Sequence, residues 1–119
     1  MAANPVVPAP GLQLETQKSA EETVVRCNGK LTSATGDLLA NTVRDLIPGT
    51  KRIVLDLTNL SYCDSSGLGR LVGIYVSAKR AGCELRLINL GQRIKDLLRL
   101  TNLAKIFEGH EELLGYTPD

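Results

Sequence analysis

The sequence predicts an α/β fold built on a mixed, mostly parallel β-sheet that is covered by helices. Strand-like segments alternate along the chain with segments whose apolar residues recur at helical spacing. A strand, a helix and a second strand in that order need a crossover connection, which favours parallel pairing of the two strands. The length of 119 residues and the hydrophobic content of 43% are those of a single globular domain.

Two strands and one helix are predicted in the first half of the chain. Apolar and polar residues alternate at 12–14, and a second strand-like run at 22–28 ends at an Asn-Gly turn signal. A helix is expected from Ser33, with Ser33 or Thr35 as its N-cap, and a Pro-Gly pair at 48–49 stops it. The apolar residues at helical spacing in this segment are Leu38, Leu39, Val43, Leu46 and Ile47.

Two further strands and two helices are predicted in the second half. The runs IVLDL at 53–57 and CELRLI at 83–88 indicate strands, and the helix between them ends near Ala81-Gly82. One face of that helix is formed by Leu68, Leu71, Val72 and Tyr75. A short amphipathic helix then carries Ile94, Leu97 and Leu98. A last short strand is expected at Ile106-Phe107 and a helical turn or two in the tail HEELLGY, so the sheet has four to five strands.

The composition argues against several classes of function. A net charge of +1 gives no electrostatic footprint for nucleic acid or an anionic membrane, and no apolar run approaches transmembrane length. Cys27, Cys63 and Cys83 form an odd set in apolar surroundings, which favours buried reduced thiols in a cytoplasmic protein over disulfides. Residues 1–11 lack a signal-peptide pattern and are rich in proline and small residues, so we expect a disordered leader there and a domain over 12–119.

The segment SYCDSSGLG, residues 61–69, joins the predicted strand 53–57 to the following helix. A serine hydrolase needs a G-x-S-x-G frame and a histidine base, but the frame around Ser65 begins with Cys63, and the only histidine, His110, lies in an acidic stretch near the C-terminus. The G-x-G within the segment is only a fragment of a phosphate-binding loop, and no residues have metal-ligand spacing. Catalysis, a cofactor and a metal are therefore not expected, although binding of an anion by the turn stays open.

Two interpretations of this turn remain. Asp64, Ser65 and Ser66 can cap the following helix, because Asp and Ser oxygens accept hydrogen bonds from its first N–H groups, each worth about 1 kcal/mol. One cap needs only one such residue, however, and Gly67 and Gly69 each weaken a helix by about 1 kcal/mol relative to alanine. The second interpretation is a surface that another molecule approaches closely. A hydroxyl there also tolerates a phosphate, whose charge of about −1.5 to −2 meets the positive end of the helix dipole.

Four stretches of the chain match one known family: GKLTSATGDLL, IVLDLTNLSYCDSSGLGRLV, AGCELRLINL and QRIKDLLRLTNLAKIF. The D-S-S-G-L order within the second stretch is the most specific of these features. Through them the chain resembles the STAS domain family, and more closely its anti-sigma factor antagonists, over about residues 12–114. The resemblance implies a single STAS-like domain whose helices pack mainly on one face of the sheet.

The resemblance also implies a function. Antagonists of this family bind an anti-sigma factor that is also a serine kinase and thereby free a sigma factor. The kinase phosphorylates the serine after the motif's aspartate, which weakens the complex, and a metal-dependent phosphatase restores it. Carried over, the phosphorylated residue is Ser65, with Ser66 as the alternative. Asp64 would fix the turn and, with Ser66, Gly67 and Leu68, would lie at the partner surface of a non-enzymatic cytoplasmic switch without a cofactor.

One position departs from the family's pattern. The segment Gly29-Lys30-Leu31-Thr32 stands where many of these antagonists carry an aspartate near the partner contact. Thr32 is therefore a candidate contact residue that lacks the usual charge, which leaves room for a divergent partner. The alternative function, also implied by the resemblance, is that of a constitutive subunit of a lipid-transport or stress-sensing complex.

Overall fold

The structure, a computed structural model, describes residues 6–9 and 11–102, with side chains from residue 11 onward. The strands and helices predicted over these residues are present in the predicted order, with two further strands. Their bounds are β1 Val6–Ala9, β2 Leu12–Lys18, β3 Glu22–Leu31, α1 Gly36–Leu46, β4 Arg52–Asp56, β5 Leu60–Cys63, α2 Ser65–Arg80, β6 Glu84–Ile88 and α3 Gln92–Leu100. A 3₁₀ turn, Ile47–Gly49, follows α1 at the predicted Pro-Gly stop.

The strands form one mixed sheet in the order β1-β2-β3-β4-β6, with β5 paired to the end of β3. The β1/β2 and β2/β3 pairs are antiparallel, whereas β3/β4, β3/β5 and β4/β6 are parallel. β4 pairs with residues 22–26 of β3 and β5 with residues 29–31, so the two short strands share one neighbour. The predicted α/β fold with a mixed, mostly parallel sheet is confirmed.

One face of the sheet is apolar and is covered by the helices, while the opposite face is polar. Buried side chains alternate with more exposed ones along β2, β3 and β6. Those in register at the centre of the buried face are Val25, Leu55 and Leu87. On the opposite face Arg52 forms ion pairs with Glu22 and Glu84, at 3.4 and 3.2 Å. α2 contacts both α1 and α3, so the expected placement of the helices on one face is confirmed.

Two strands differ from the sequence-based prediction. Val6–Ala9 pairs with β2, although a disordered leader was predicted over residues 1–11. Backbone pairing along the edge of a sheet needs no alternation of apolar and polar residues, and proline is compatible with an edge strand. Leu60–Cys63 pairs with the end of β3, although it was predicted as part of the turn, because four residues are too few for a pattern of their own. The sheet over the described residues thus has six strands, more than the four to five predicted.

Several predictions fall beyond the described part of the chain. The short strand at Ile106-Phe107, the helical tail HEELLGY and His110 all lie outside residues 6–9 and 11–102. The extent of one domain over 12–119 stays a prediction for the same reason. Within the described residues, no helix has the length and apolar character needed to cross a membrane. Cys27, Cys63 and Cys83 are buried free thiols, as predicted.

Candidate functional site

The loops after parallel strands meet at one edge of the sheet, and the segment 61–69 lies there. Leu31 at the end of β3 is in register with Cys63 at the end of β5. The residues that follow them, Thr32 and Asp64, are therefore brought to the same edge. The Asp64 N–H donates a hydrogen bond to the Leu31 carbonyl oxygen at 3.3 Å, which ties the start of α2 to the end of β3.

Asp64 is the N-cap of α2. Its backbone is extended, with φ −100° and ψ −178°, and its Oδ1 accepts a hydrogen bond from the Gly67 N–H at 2.8 Å. Its carbonyl oxygen accepts from the Leu68 N–H at 2.9 Å, which starts the helical hydrogen-bond pattern. The capping interpretation is therefore correct for Asp64, and the cap fixes the orientation of the residues that follow.

Ser65 and Ser66 form the first turn of α2, and both are exposed. Neither their hydroxyls nor their backbone N–H groups form a hydrogen bond with any residue that the structure describes. The two serines therefore do not cap the helix, which leaves both hydroxyls accessible. Unpaired N–H groups at the first turn of a helix favour a negative charge there.

Gly67 and Leu68, which were predicted at the partner surface, are buried instead. Leu68 is 1% exposed and belongs to the core. A Cβ on Gly67 would lie 2.2 Å from the Leu31 carbonyl oxygen, so glycine at this position allows α2 to pack directly on β3. A Cβ on Gly69 would meet no described atom within 4 Å. The open surface thus lies at Gly69 and not at Gly67 or Leu68, because successive helical residues are rotated by about 100°.

Thr32 is half-buried next to this turn, and its polar groups bond within its own loop. Its Oγ1 accepts a hydrogen bond from the Ala34 N–H at 3.2 Å, and its N–H donates to Thr35 Oγ1 at 3.0 Å. Thr35 Oγ1 also donates to the Lys30 carbonyl oxygen at 2.8 Å. Thr35 occupies the predicted N-cap position of α1, but its side chain stabilises the preceding loop and not the helix. Thr32 therefore shapes the loop beside Asp64 without adding charge.

An interaction between α1 and α2 at this edge was not predicted. The stem of Arg70 lies over Gly36, whose Cβ, if present, would be 3.4 Å from Arg70 Cβ. The Arg70 guanidinium donates to the Asp37 carboxylate and so joins the start of α1 to α2. No local sequence pattern marks this pair, because its members are 33 positions apart and meet only after the sheet has formed.

The Cys63 thiol lies directly beneath the turn and is 1% exposed. Burial raises the pKa of Cys63 to about 11, the negative charge of Asp64 contributes in the same direction, and Arg93 at the start of α3 opposes the rise. The thiol therefore stays protonated near neutral pH. The sequence analysis did not consider Arg93, whose charge opposes the rise of this pKa, because the residue belongs to a separate helix.

The exposed chemical groups at the start of α2 include the two serine hydroxyls, at the positive end of the helix. Within residues 11–102 no group of three or more His, Cys, Asp or Glu side chains is arranged to hold a metal ion. A phosphate placed at the start of α2 would meet free N–H donors and the helix dipole.

Comparison with known proteins gives a family and several relatives. The family model described as the STAS domain matches residues 12–113. A relative from Paenibacillus polymyxa, named an anti-sigma F factor antagonist, is 32% identical over 97 residues, which cover 80% of this chain and 83% of the relative.

Solved structures are similar in fold. The structure titled as the anti-sigma factor antagonist SpoIIAA in its unphosphorylated form has a TM-score of 0.64 at 20% identity, covering 90% of this chain and 99% of that one. The structure of the Bacillus cell fate determinant SpoIIAA in the phosphorylated form has a TM-score of 0.62 at 22% identity, covering 79% and 86%. At these identities the likeness concerns the fold alone.

Proposed function

Because the chain belongs to the STAS domain family, we propose that it is an anti-sigma factor antagonist controlled by phosphorylation of Ser65. In its unphosphorylated form it binds an anti-sigma factor that is also a serine kinase. Phosphorylation of Ser65 by that kinase releases it, and a serine phosphatase restores binding. The protein acts in the cytoplasm as a non-enzymatic switch without a cofactor.

The observation that carries this proposal is the exposure of the Ser65 hydroxyl directly after the N-cap Asp64. The cap holds the turn by accepting a hydrogen bond from the Gly67 N–H, and the Ser65 hydroxyl forms no hydrogen bond with any described residue. A hydroxyl that takes no part in holding the fold can be modified without unfolding it.

The effect of the phosphate follows from electrostatics. It adds about −1.5 to −2 charges and three acceptor oxygens at the positive end of α2. The free N–H groups of Ser65 and Ser66 stabilise this charge, so the fold tolerates it. A partner that fits the neutral hydroxyl would meet a bulkier, anionic group, which weakens the complex.

Two similar proteins support the two parts of the proposal. The relative from Paenibacillus polymyxa is named an antagonist of an anti-sigma factor. The structural neighbour SpoIIAA is described in both a phosphorylated and an unphosphorylated form. Thr32 also belongs to the proposed contact surface, since its loop lies at the same edge as Ser65.

The first test is peptide-level mass spectrometry of the protein isolated from its native cells, followed by calorimetric titration with the cell's anti-sigma factor kinases. We expect a phosphate on Ser65 and tight binding of the unphosphorylated chain. The phosphomimetic Ser65→Asp should weaken binding at least about tenfold, which is 1.4 kcal/mol, while its thermal midpoint stays at or slightly above that of the wild type. Ser66→Asp is the matched control one residue away.

The outcomes separate the alternatives. A phosphate on Ser66 alone, with the larger loss in Ser66→Asp, would move the switch by one residue. Absence of phosphate under all growth conditions, together with equal binding of Ser65→Asp, Ser65→Ala and the wild type, would contradict the switch. Copurification with membrane transporter subunits in that case would identify a constitutive subunit instead.

Thr32→Asp tests the departure from the family's pattern. An aspartate can accept the same hydrogen bond from the Ala34 N–H, so the loop should keep its shape and stability. The variant adds a negative charge at the proposed contact. A changed affinity at unchanged stability would place Thr32 in the contact, and an unchanged affinity would remove it from the contact.

A further inference from the structure

A groove of about 210 Å³ runs between α1 and α2 on the outer surface of the helical layer. Its apolar lining comes from both helices. Val43 of α1 and Ile74 of α2 line it and are 2% and 5% exposed. Ala40 and Ile47 line the α1 side. The groove therefore presents apolar side chains from both helices beyond the Ser65 turn.

The α2 wall of the groove is formed by small residues at a spacing of four. This wall is lined by Gly69, Gly73 and Ser77, and Ser65 lies four residues before Gly69. Residues four apart lie on one helical face, so Ser65 heads the stripe that continues into the groove. A Cβ on Gly69 or Gly73 would meet no described atom within 4 Å. Nothing in the described part of the fold thus requires glycine at these two positions, where alanine forms a better helix.

Two arginines line the groove, Arg44 of α1 and Arg70 of α2. Arg70 pairs with Asp37, whereas Arg44 bonds only the Asn41 side-chain oxygen, at 3.1 Å, among the described residues. α2 itself carries three basic residues and no acidic one. Asp45, next to Arg44 in sequence, does not line the groove. A ligand in the groove therefore meets apolar side chains and the positive charge of Arg44, which has no acidic partner among the described residues.

The geometry points to the groove between α1 and α2 as the docking site of an acidic amphipathic helix from the partner protein. Apolar side chains of that helix would cover Val43 and Ile74, and its carboxylates would meet Arg44. The two glycines let its backbone approach α2 closely. An amphipathic helix laid into an apolar groove is a common mode of recognition. The charge of the groove selects an acidic helix over a basic one.

This inference rests on the proposed function for the identity of the partner and adds a physical route for its release. A phosphate on Ser65 would place about −1.5 to −2 charges at the head of the same stripe. That charge repels the carboxylates of an acidic helix that begins one turn away, at Gly69. Phosphorylation thus weakens docking through like-charge repulsion, in addition to any clash at the serine itself.

The test uses a synthetic helical peptide as the probe, with a leucine at every third or fourth position and glutamates on both sides. The matched control is the same peptide with lysine in place of each glutamate. Binding to the full chain is measured by fluorescence anisotropy, and the site is located by ¹H–¹⁵N chemical-shift mapping. We expect the acidic peptide to bind and the basic one to bind at least about tenfold more weakly. Shifts should centre on Ala40, Gly69, Gly73 and Ser77.

Three variants locate the site. Arg44→Glu should weaken binding of the acidic peptide at least about tenfold by charge reversal. Gly73→Leu should do so by filling the groove, and its thermal unfolding is measured alongside to show that it is folded. Arg86→Glu reverses an exposed charge of β6 on the face of the sheet opposite the helices, and should leave binding unchanged. Equal binding of the two peptides, or an effect of Arg86→Glu as large as that of Arg44→Glu, would overturn the inference.

Titration of the same variants with the anti-sigma factor separates this inference from the proposed function. Loss of binding in Ser65→Asp with full binding in Arg44→Glu and Gly73→Leu would refute the groove as the docking site and leave the function standing. Equal binding of the Ser65 variants would refute the switch, while the peptide measurements would still decide the groove.

Discussion

Alanine at Gly67 and alanine at Gly69 should have opposite effects on stability, although the two residues are in the first turns of the same helix. At Gly67 the new Cβ would lie 2.2 Å from the Leu31 carbonyl oxygen, about 0.8 Å inside the 3.0 Å that real Cβ contacts respect. This oxygen belongs to β3 and also accepts a hydrogen bond from Asp64, so it cannot retreat freely. Overpacking of this kind costs about 3 kcal/mol, and the gain in helix propensity is about 1 kcal/mol. The expected net loss at Gly67 is about 2 kcal/mol.

Urea unfolding of the two variants measures this difference. With a denaturant slope of about 1.5 kcal/mol per M, Gly67→Ala should unfold at a urea concentration about 1.3 M below the wild type. The added Cβ of Gly69→Ala meets no described atom within 4 Å, so this variant should unfold about 0.7 M above the wild type. A midpoint for Gly67→Ala equal to or above that of the wild type would refute the packing of α2 directly on β3. A large loss in Gly69→Ala would refute the open surface there.

Three further predictions concern the edge of the sheet. Asp64→Ala should lower the free energy of unfolding by about 1 kcal/mol in thermal unfolding, and Asp64→Ser should recover most of it, because only the cap is removed. Burial raises the pKa of Asp56, but hydrogen bonds from Thr58 and Asn89 outweigh it and lower the pKa below 3.8. The ionised Asp56 therefore stabilises the fold above pH 3.8, and this contribution is lost as the pH falls through the folded-state pKa. In Asp56→Asn the free energy of unfolding should fall less steeply below about pH 4. An unchanged dependence of the free energy of unfolding on pH would contradict this. The Cys63 thiol, with its pKa raised to about 11, should resist an aromatic disulfide reagent in the native protein and react in guanidinium chloride. Rapid native-state reaction would show that the turn opens.

Much of the fold could be predicted from local patterns, because burial imposes a period on the sequence. The alternation in β3 and β6 and the helical spacing in α1 each follow from one face being covered. β5 and β1 were missed because each has only four residues and is held by backbone pairing, β1 with the β2 strand that follows it and β5 with the end of β3.

The candidate site was predictable in its chemistry and less so in its exposure. The order Asp64-Ser65-Ser66 left open a helix cap or an accessible hydroxyl, and the structure has the cap at Asp64 and both serines exposed. The sequence pattern did not distinguish Gly67 from Gly69, yet Gly67 packs against β3 and Gly69 faces open space. Which glycine serves packing depends on the position of a strand more than thirty residues earlier, and no local pattern contains that information.

The sequence by itself determined the period of each main element, the burial of the three cysteines and the chemistry of the turn, since these follow from residue type and spacing along the chain. Only the tertiary structure decided which side chains that are distant along the chain come into contact. Parallel pairing of β3 with β5 brings Thr32 to the same edge as Asp64, and packing of α1 on α2 forms the groove and joins Arg70 to Asp37. Such contacts arise from the register of strands and the approach of helices, which are set by the packed core as a whole.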